Sequence, residues 1–387
     1  MAHVDNLRRH FPALRRIVYL NTGSAGALPD ETVQAMTEAI SAQLHEGRRG
    51  DRYWQTLAQM RQLVRSELAH LFHAKDEAFV LTSSTTEGMN LALWSIPLAP
   101  GDEIITTDVE HPGAALPMAV QRQRRGVRVR VLDGTLSKEE LCHQFEQAIT
   151  PKTRVLVCSH VSYATGRRFP LESLSEIAHR YGVWVVVDGA QGAGAEALDL
   201  GTVGIDLYAF PGHKWLCGPQ GTGALYVNPR RLQELDVTFA GTSSLREATA
   251  WTPDGHYLPA PTAARFEHSE GEVSLWLGWW QSLHFLRVTA GWEYIFSRTH
   301  GLSGLLMDKL FDLPGVTVVT PRDQRAGLVH LRLDKVDANA ALREARARDI
   351  DIRTITDRGL LRVSTAFYNT ENEVQRFLQV IEGLCRS

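Results

Sequence analysis

Between residues 75 and 227 the chain repeats one pattern: a short apolar run, a small-residue turn, then a helical stretch. The runs are AFVLTSS, EIITTD, VRVRVLDG, TRVLVCSH, VWVVVDGA, DLYAFPGH and GALYV. Most are apolar at every position rather than at alternate ones, the pattern of strands covered on both faces. This predicts a doubly wound, mostly parallel α/β sheet whose ligands gather at the carboxyl ends of the strands. VRVRVLDG is the exception. It alternates, follows the basic RQRRG, and reads as an edge strand after a helix end.

The rest of the chain reads differently. Residues 228–275 are rich in Gly, Pro, Thr and Ser, the composition of loops that wrap a site or a partner subunit. One long helical pattern is predicted from about 273 to 312. VTVVTP, GLVHLRL, IDIRTI and GLLRVST then interleave with helices at 337–348 and 371–385, which predicts a small α+β domain. The expected division is an N-terminal segment, 1–18, packing with the small domain, a large α/β domain, 19–275, and a linking helix with the small domain, 276–387.

With 41 basic against 44 acidic residues the formal charge is −3, and no block of like charge suggests a nucleic-acid or membrane partner. The four cysteines form no CxxC pair, so neither a disulfide framework nor a metal site is expected. No apolar run reaches about 18 residues and the N-terminus lacks a signal-type core, so a soluble, cytoplasmic protein is expected.

Three features carry chemistry. Asp188 directly follows the apolar strand of VVVDGAQGAG; a carboxylate placed there needs a positive partner, and a protonated ring nitrogen would supply it. In LTSSTTEGMNLALW, Thr85 and Thr86 stand where a strand meets an amphipathic helix, and free N–H groups with added hydroxyls suit a phosphate. Lys214, in GHKWLCGPQGTGALYV, lies in a Gly/Pro-rich turn after the next strand. Cup, aspartate and lysine together form the set needed to hold pyridoxal 5′-phosphate, with Lys214 making the Schiff base.

In this order, YLNTGSAGALP, TSSTTEGMN, DVEHPGA, SHVSYATG, VVVDGAQGAGA, GHKW and RVSTAFYNTENEV make nearly the whole chain resemble the class V, fold-type I pyridoxal-phosphate enzymes. These include the cysteine desulfurases and, closest in pattern, the cysteine/cystine C-S lyases. The resemblance implies a large domain with a mostly parallel mixed sheet plus a small C-terminal α+β domain. It makes Lys214 the cofactor-bearing lysine, Asp188 the partner of the pyridinium nitrogen and Gln191 the partner of the phenolate oxygen. His111 would stack on the ring, while His213, Thr85 and Thr86 would hold the phosphate. Asn21, Tyr163, Arg353 and Arg362 would face the amino-acid substrate, with Arg362 gripping its α-carboxylate. It also implies a homodimer with sites at the interface. Glu270 stands near the position where the family often offers a phosphate-binding threonine from the neighbour, so Ser269 or Thr242 would substitute.

The desulfurases need a cysteine on a mobile loop, which would fall at residues 355–360. Here those residues read ITDRGL, without cysteine. Tyr163 also replaces an asparagine of the desulfurases, where the cystine lyases carry a large aromatic. The expected reaction is therefore α,β-elimination on cysteine, cystine or a cysteine S-conjugate. An aminotransferase or epimerase acting on a small amino acid is the second expectation, a desulfurase is disfavoured, and a non-catalytic cofactor-binding regulator is the alternative of another class.

Overall fold

The computed structural model describes residues 2–386. The chain opens with helix α1 (Ala2–Arg8) and the two-residue strand β1 (Val18–Tyr19), followed by the long helices α2 (Asp30–Glu46) and α3 (Gly50–Phe72). Strands and helices then alternate: β2 (Phe79–Thr82), α4 (Thr85–Ser95), β3 (Glu103–Thr107), α5 (Pro112–Arg125), β4 (Arg128–Leu132), α6 (Lys138–Ala148), β5 (Thr153–Ser159), α7 (Leu171–Arg180), β6 (Trp184–Asp188), β7 (Leu207–Pro211) and β8 (Gly223–Val227). Among the described residues these strands form one sheet of order β2-β8-β7-β6-β5-β3-β4. Strand β8 runs antiparallel to both its neighbours and the other contacts are parallel.

The continuously apolar runs are the inner strands and β2, which closes one edge of the sheet but is covered there, and β2, β3, β6, β7 and β8 are buried along their whole length. The alternating run is β4, at the sheet edge and largely exposed. One apolar cluster packs on each face. Val186, Ala209 and Leu225 face α4, whereas Val185, Val187 and Tyr208 face the opposite layer. The side-chain alternation of a strand divides them in this way.

Residues 273–312 are not one helix. Helix α8 (Val273–His284) passes into a wider π-type turn, Phe285–Ala290, and the chain restarts as α9 (Trp292–Phe311). Gly291 sits at the junction with φ +83°, a conformation that disfavours any side chain. The apolar periodicity continues across the break because α8 and the start of α9 pack on one core and the rest of α9 on the core of the second sheet, and this hid the break from the sequence.

The C-terminal part contains β9 (Val316–Val318), β10 (Leu328–Leu333), α10 (Ala338–Arg346), β11 (Ile350–Asp351), β12 (Arg353–Ile355), β13 (Leu360–Ser364) and α11 (Glu371–Arg386). Its four-stranded antiparallel sheet has the order β12-β13-β10-β9, and β1 pairs separately with β11. Val18 and Leu20 thereby join the core of this second sheet. Helix α1 reaches it as well, since Arg8 donates to the Tyr368 carbonyl and to the Glu373 carboxylate.

Candidate active site

The parallel strands end at one edge of the sheet, and the last residues of several stand side by side. Ser159 ends β5 in register with Asp188, which ends β6, and Asp188 is in turn paired with Ala209 of β7. Beyond β7 the chain turns at Gly212, where an added Cβ would lie 2.2 Å from the Thr222 hydroxyl and 2.7 Å from Trp279. This tight turn swings His213 and Lys214 back over the strand ends.

A cavity of about 220 Å³ opens there. Its floor and walls are Asp188, Ala190, Gln191, His213 and Lys214 from the sheet edge. Ser84, Thr85 and Thr86 come from the start of α4, His111 and Gly113 from the start of α5, and Tyr163 from the turn after β5. Gly23, Ser24, Arg353 and Arg362 close it from the side of the small sheet. All the residues predicted from sequence except Asn21 therefore line one space.

Asn21 is the correction. Its amide donates to the Asp351 carboxylate at 3.1 Å and its carbonyl oxygen accepts from Ser24 at 2.7 Å, so it stands behind the cavity wall rather than in it. Ser24, which sequence reasoning passed over, is the residue facing in. Its hydroxyl also accepts from Arg362 at 2.7 Å and from Arg353 at 3.3 Å. The signal was available in NTGSAGALP, where a serine follows the glycine. The route Asp351–Asn21–Ser24 thus positions two guanidinium groups.

Neither guanidinium has a carboxylate partner among the described residues within ion-pair distance. Arg362 is almost completely buried, its Nε has no hydrogen-bond partner, and burial with Arg353 beside it brings its pKa down to about 9. An isolated buried charge costs several kcal/mol, so Arg362, with the exposed Arg353 beside it at the cavity mouth, is built to receive an anion. Register places the two together, Arg353 on β12 opposite Arg362 on β13.

Lys214 is half-buried in the cavity wall and makes no ion pair among the described residues. Burial, reinforced by Arg362 and Arg353 and opposed by Asp188, lowers its pKa to about 8. Part of the population is then a neutral amine near pH 7. Beside it, burial and the lysine charge hold His213 near 4, and its buried Nδ1 lacks a partner. His111 caps α5 by accepting from the Gly113 N–H at 3.0 Å, and its ring meets Tyr163 edge-on at 4.8 Å. Burial lowers its pKa, against the pull of Asp188. Both imidazoles are neutral at pH 7.

The opening of α4 is capped by Ser84, whose hydroxyl accepts from Glu87 N, leaving Thr85 and Thr86 at the first positions of the helix. Glu87 itself folds back onto the N–H and hydroxyl of Ser83. Gln191 is held by two contacts, donating to the Gly23 carbonyl at 2.8 Å and accepting from the Trp215 indole at 3.0 Å. One of its two amide hydrogens remains for a ligand.

These donors fit pyridoxal 5′-phosphate. An unpaired neutral-capable lysine, a carboxylate at a strand end, an unpartnered His213 nitrogen and a hydroxyl-bearing helix start are the groups its aldehyde, ring nitrogen and phosphate require. Gly113 keeps the cradle open, because a Cβ there would meet the Thr86 hydroxyl at 2.7 Å and the His111 ring at 3.1 Å.

None of the four cysteines lines the cavity. Cys217 is buried with φ +51°, and burial pushes its thiol up to about 12. The segment 355–360 is a tight hairpin between β12 and β13, closed by a helical turn at Thr356–Arg358 and by Gly359 at φ +62°. Arg358 ties it to the Asp108 carbonyl at 2.6 Å. Thr242 donates to Glu270 at 2.7 Å, and neither lines this cavity. Arg49 lines a separate open groove of about 680 Å³ between α2, α3 and α8.

The aminotransferase class-V family model matches residues 18–377. A cysteine desulfurase of Escherichia coli O8 is 30% identical, covering 99% of this chain and 98% of its own length. A probable cysteine desulfurase of Mycolicibacterium paratuberculosis is also 30% identical over 79% of the chain, an alignment that spans 46% of that relative. The cystine C-S lyase C-DES, solved with its reaction product cysteine persulfide, superposes with a TM-score of 0.90 at 28% identity, covering 96% and 99% of the two chains. A mutant of C-DES carrying glycine covalently linked to the PLP cofactor gives 0.91 at 28% identity, covering 97% and 98%.

Proposed function

The chain belongs to the aminotransferase class-V family, and from that premise we propose that it is a pyridoxal-phosphate-dependent C-S lyase eliminating the β-sulfur group of cysteine, cystine or a cysteine S-conjugate. Its pyridoxal-phosphate dependence and its kinship with cysteine-acting enzymes come with the family and its relatives. Elimination, rather than transfer of sulfur to an enzyme thiol, is the finer reading.

The observation that carries it is the β12–β13 hairpin. A desulfurase must bring a thiol to the substrate sulfur, and here the corresponding segment is short, tied down and free of cysteine. The four cysteines lie elsewhere, and the one nearest in sequence to Lys214 is buried and strongly resists ionisation. A thiol held as SH is a poor nucleophile.

Pyridoxal phosphate, when bound, supplies an electron sink for a carbanion at Cα. Asp188 would face its ring nitrogen, Gln191 its phenolate oxygen, His111 its ring face, and Thr85, Thr86 and His213 its phosphate. Lys214, neutral in part near pH 7, is the group placed to carry the cofactor and then to take the Cα proton. Arg362 would grip the α-carboxylate, with Arg353 beside it and Ser24 fixing both. His111 and Tyr163, packed edge to face, wall the cavity. The β-sulfur leaves, and hydrolysis of the remaining three-carbon fragment gives pyruvate and ammonia. From cystine the sulfur product is cysteine persulfide; from cysteine it is sulfide. Two such protomers forming a homodimer belong to the same proposal.

The test replaces Cys142, Cys158, Cys217 and Cys385 together by alanine, with Lys214→Ala as control. Turnover of cystine retained within about threefold in the folded cysteine-free enzyme, and lost in the lysine variant, is expected. A cysteine-free enzyme that folds and loads cofactor yet turns over no substrate would overturn the proposal.

A further inference from the structure

One buried carboxyl beside the cavity has no part in the chemistry described so far. Glu110 belongs to the turn between β3 and α5, immediately before His111. Its Oε1 is bonded to the Thr107 hydroxyl at the end of β3 and its Oε2 to the Ser159 hydroxyl at the end of β5, each at 2.6 Å. It has no cationic partner within ion-pair distance among the described residues. Every other residue of the turn is also pinned. Asp108 accepts from Gly134 N and, through its carbonyl, from Arg358; the Val109 carbonyl accepts from the Ser162 hydroxyl; His111 caps α5.

We propose that Glu110 is a positioning residue: it ties the ends of β3 and β5 together beneath His111, and by gaining or losing its proton it tunes how strongly Asp188 holds a cationic ring. Ser159, to which Glu110 is bonded, is the register partner of Asp188 on the adjacent strand. The charged group acting on Glu110 is Asp188 from β6; Cys158 on β5, Tyr163 beyond it and His111 in its own turn are the titratable neighbours. Burial, with Asp188 adding and the two hydroxyls opposing, raises the Glu110 carboxyl to about 7. The hydroxyls of Thr107 and Ser159 can accept as well as donate, so the clamp persists in both protonation states while the charge changes.

The direction follows from linkage. Ionised Glu110 and Asp188 repel, and a pyridinium beside Asp188 offsets that repulsion. Bound cofactor therefore favours loss of the Glu110 proton, and reciprocally cofactor affinity gains as Glu110 ionises. This inference rests on the cofactor assignment and is independent of which sulfur product leaves.

The experiment measures the dissociation constant of pyridoxal phosphate from the apoprotein by fluorescence quenching at pH 6 to 8.5, for the wild type and Glu110→Gln. Lys214 contributes its own pH dependence to both, so the ratio of the two constants isolates Glu110. The wild type should gain about fivefold in affinity relative to the variant between pH 6 and 8, and the absorbance titration of the bound cofactor should shift between the two proteins. Ser159→Ala removes a bond that favours the charged form, so it should move the affinity step to higher pH by about half a unit. A constant ratio, or a Ser159→Ala step that does not move upward, overturns the inference while leaving the cofactor assignment intact. Wild-type protein that binds no cofactor at any pH overturns both. Should Glu110→Gln not fold, Ser159→Ala alone decides.

Discussion

Arg362 and Lys214 act on each other before any substrate arrives. The guanidinium raises the cost of a second positive charge nearby, so the lysine gives up its proton more readily. Arg362→Gln should therefore shift the pH dependence of cofactor uptake by the apoprotein upward from its wild-type value near 8, measured by stopped-flow absorbance. The same substitution removes a charge-assisted contact to carboxylate and should cost about 10- to 100-fold in kcat/KM, mostly through KM. Arg362→Lys should recover only part of this, because a single ammonium cannot reproduce the two-pronged grip. The lysine and aspartate were legible in the sequence because a charged residue after an apolar strand stands out against its surroundings. Asn21 misled because an amide near a predicted cleft looks like a ligand contact, and nothing local revealed that Asp351, 330 residues away, would claim it. Glu110 was invisible for a similar reason: its partners Thr107 and Ser159 come from two strands that only the sheet order brings together.

At the scale of elements, strand identity and layer were written in the hydrophobic pattern, since burial on both faces leaves no polar positions to confuse the period. The break between α8 and α9 was not, because the helical period carries no record of a π-type turn. Gly291 marks it. An added Cβ would meet nothing within 4 Å there, so Gly291→Ala, at φ +83° and ψ 126°, should cost about 1–3 kcal/mol through backbone strain alone. Thermal unfolding should register the loss while kcat stays unchanged. A fall in kcat without a fall in stability would mean that the junction moves during turnover. The β12–β13 hairpin is the element with the most functional weight, since its two strands carry Arg353 and Arg362 while its turn is tied to Asp108. Arg358→Ala releases that tie and should raise KM more than it lowers kcat.

Two fully buried histidines among the described residues are held in neutral form. His160, bonded to the Tyr208 hydroxyl, is held near 4, and His330, donating to the Tyr163 carbonyl, near 3, in both cases by burial first. A histidine whose folded pKa lies below its unfolded value contributes stability above the unfolded value of about 6.5, and that contribution is lost as pH falls toward the folded value. His160 alone accounts for roughly 3 kcal/mol over that window. The melting temperature should therefore drop steeply from about pH 6.5 to about pH 4. His330→Gln, which keeps a donor to Tyr163 but cannot titrate, should flatten the drop. Neither lines the cavity, but the His160 N–H donates to the Asp188 carbonyl and His330 holds the Tyr163 carbonyl, so acid should disassemble the site together with the fold.

The central claim is that sulfur leaves as a free product rather than passing to an enzyme thiol. Purified, cofactor-loaded enzyme incubated with L-cystine, and separately with L-cysteine, is to be assayed for pyruvate and alanine together. Pyruvate equal to the substrate consumed, with no alanine, is the predicted result. Alanine accumulating together with sulfane sulfur bound to the protein would contradict the account.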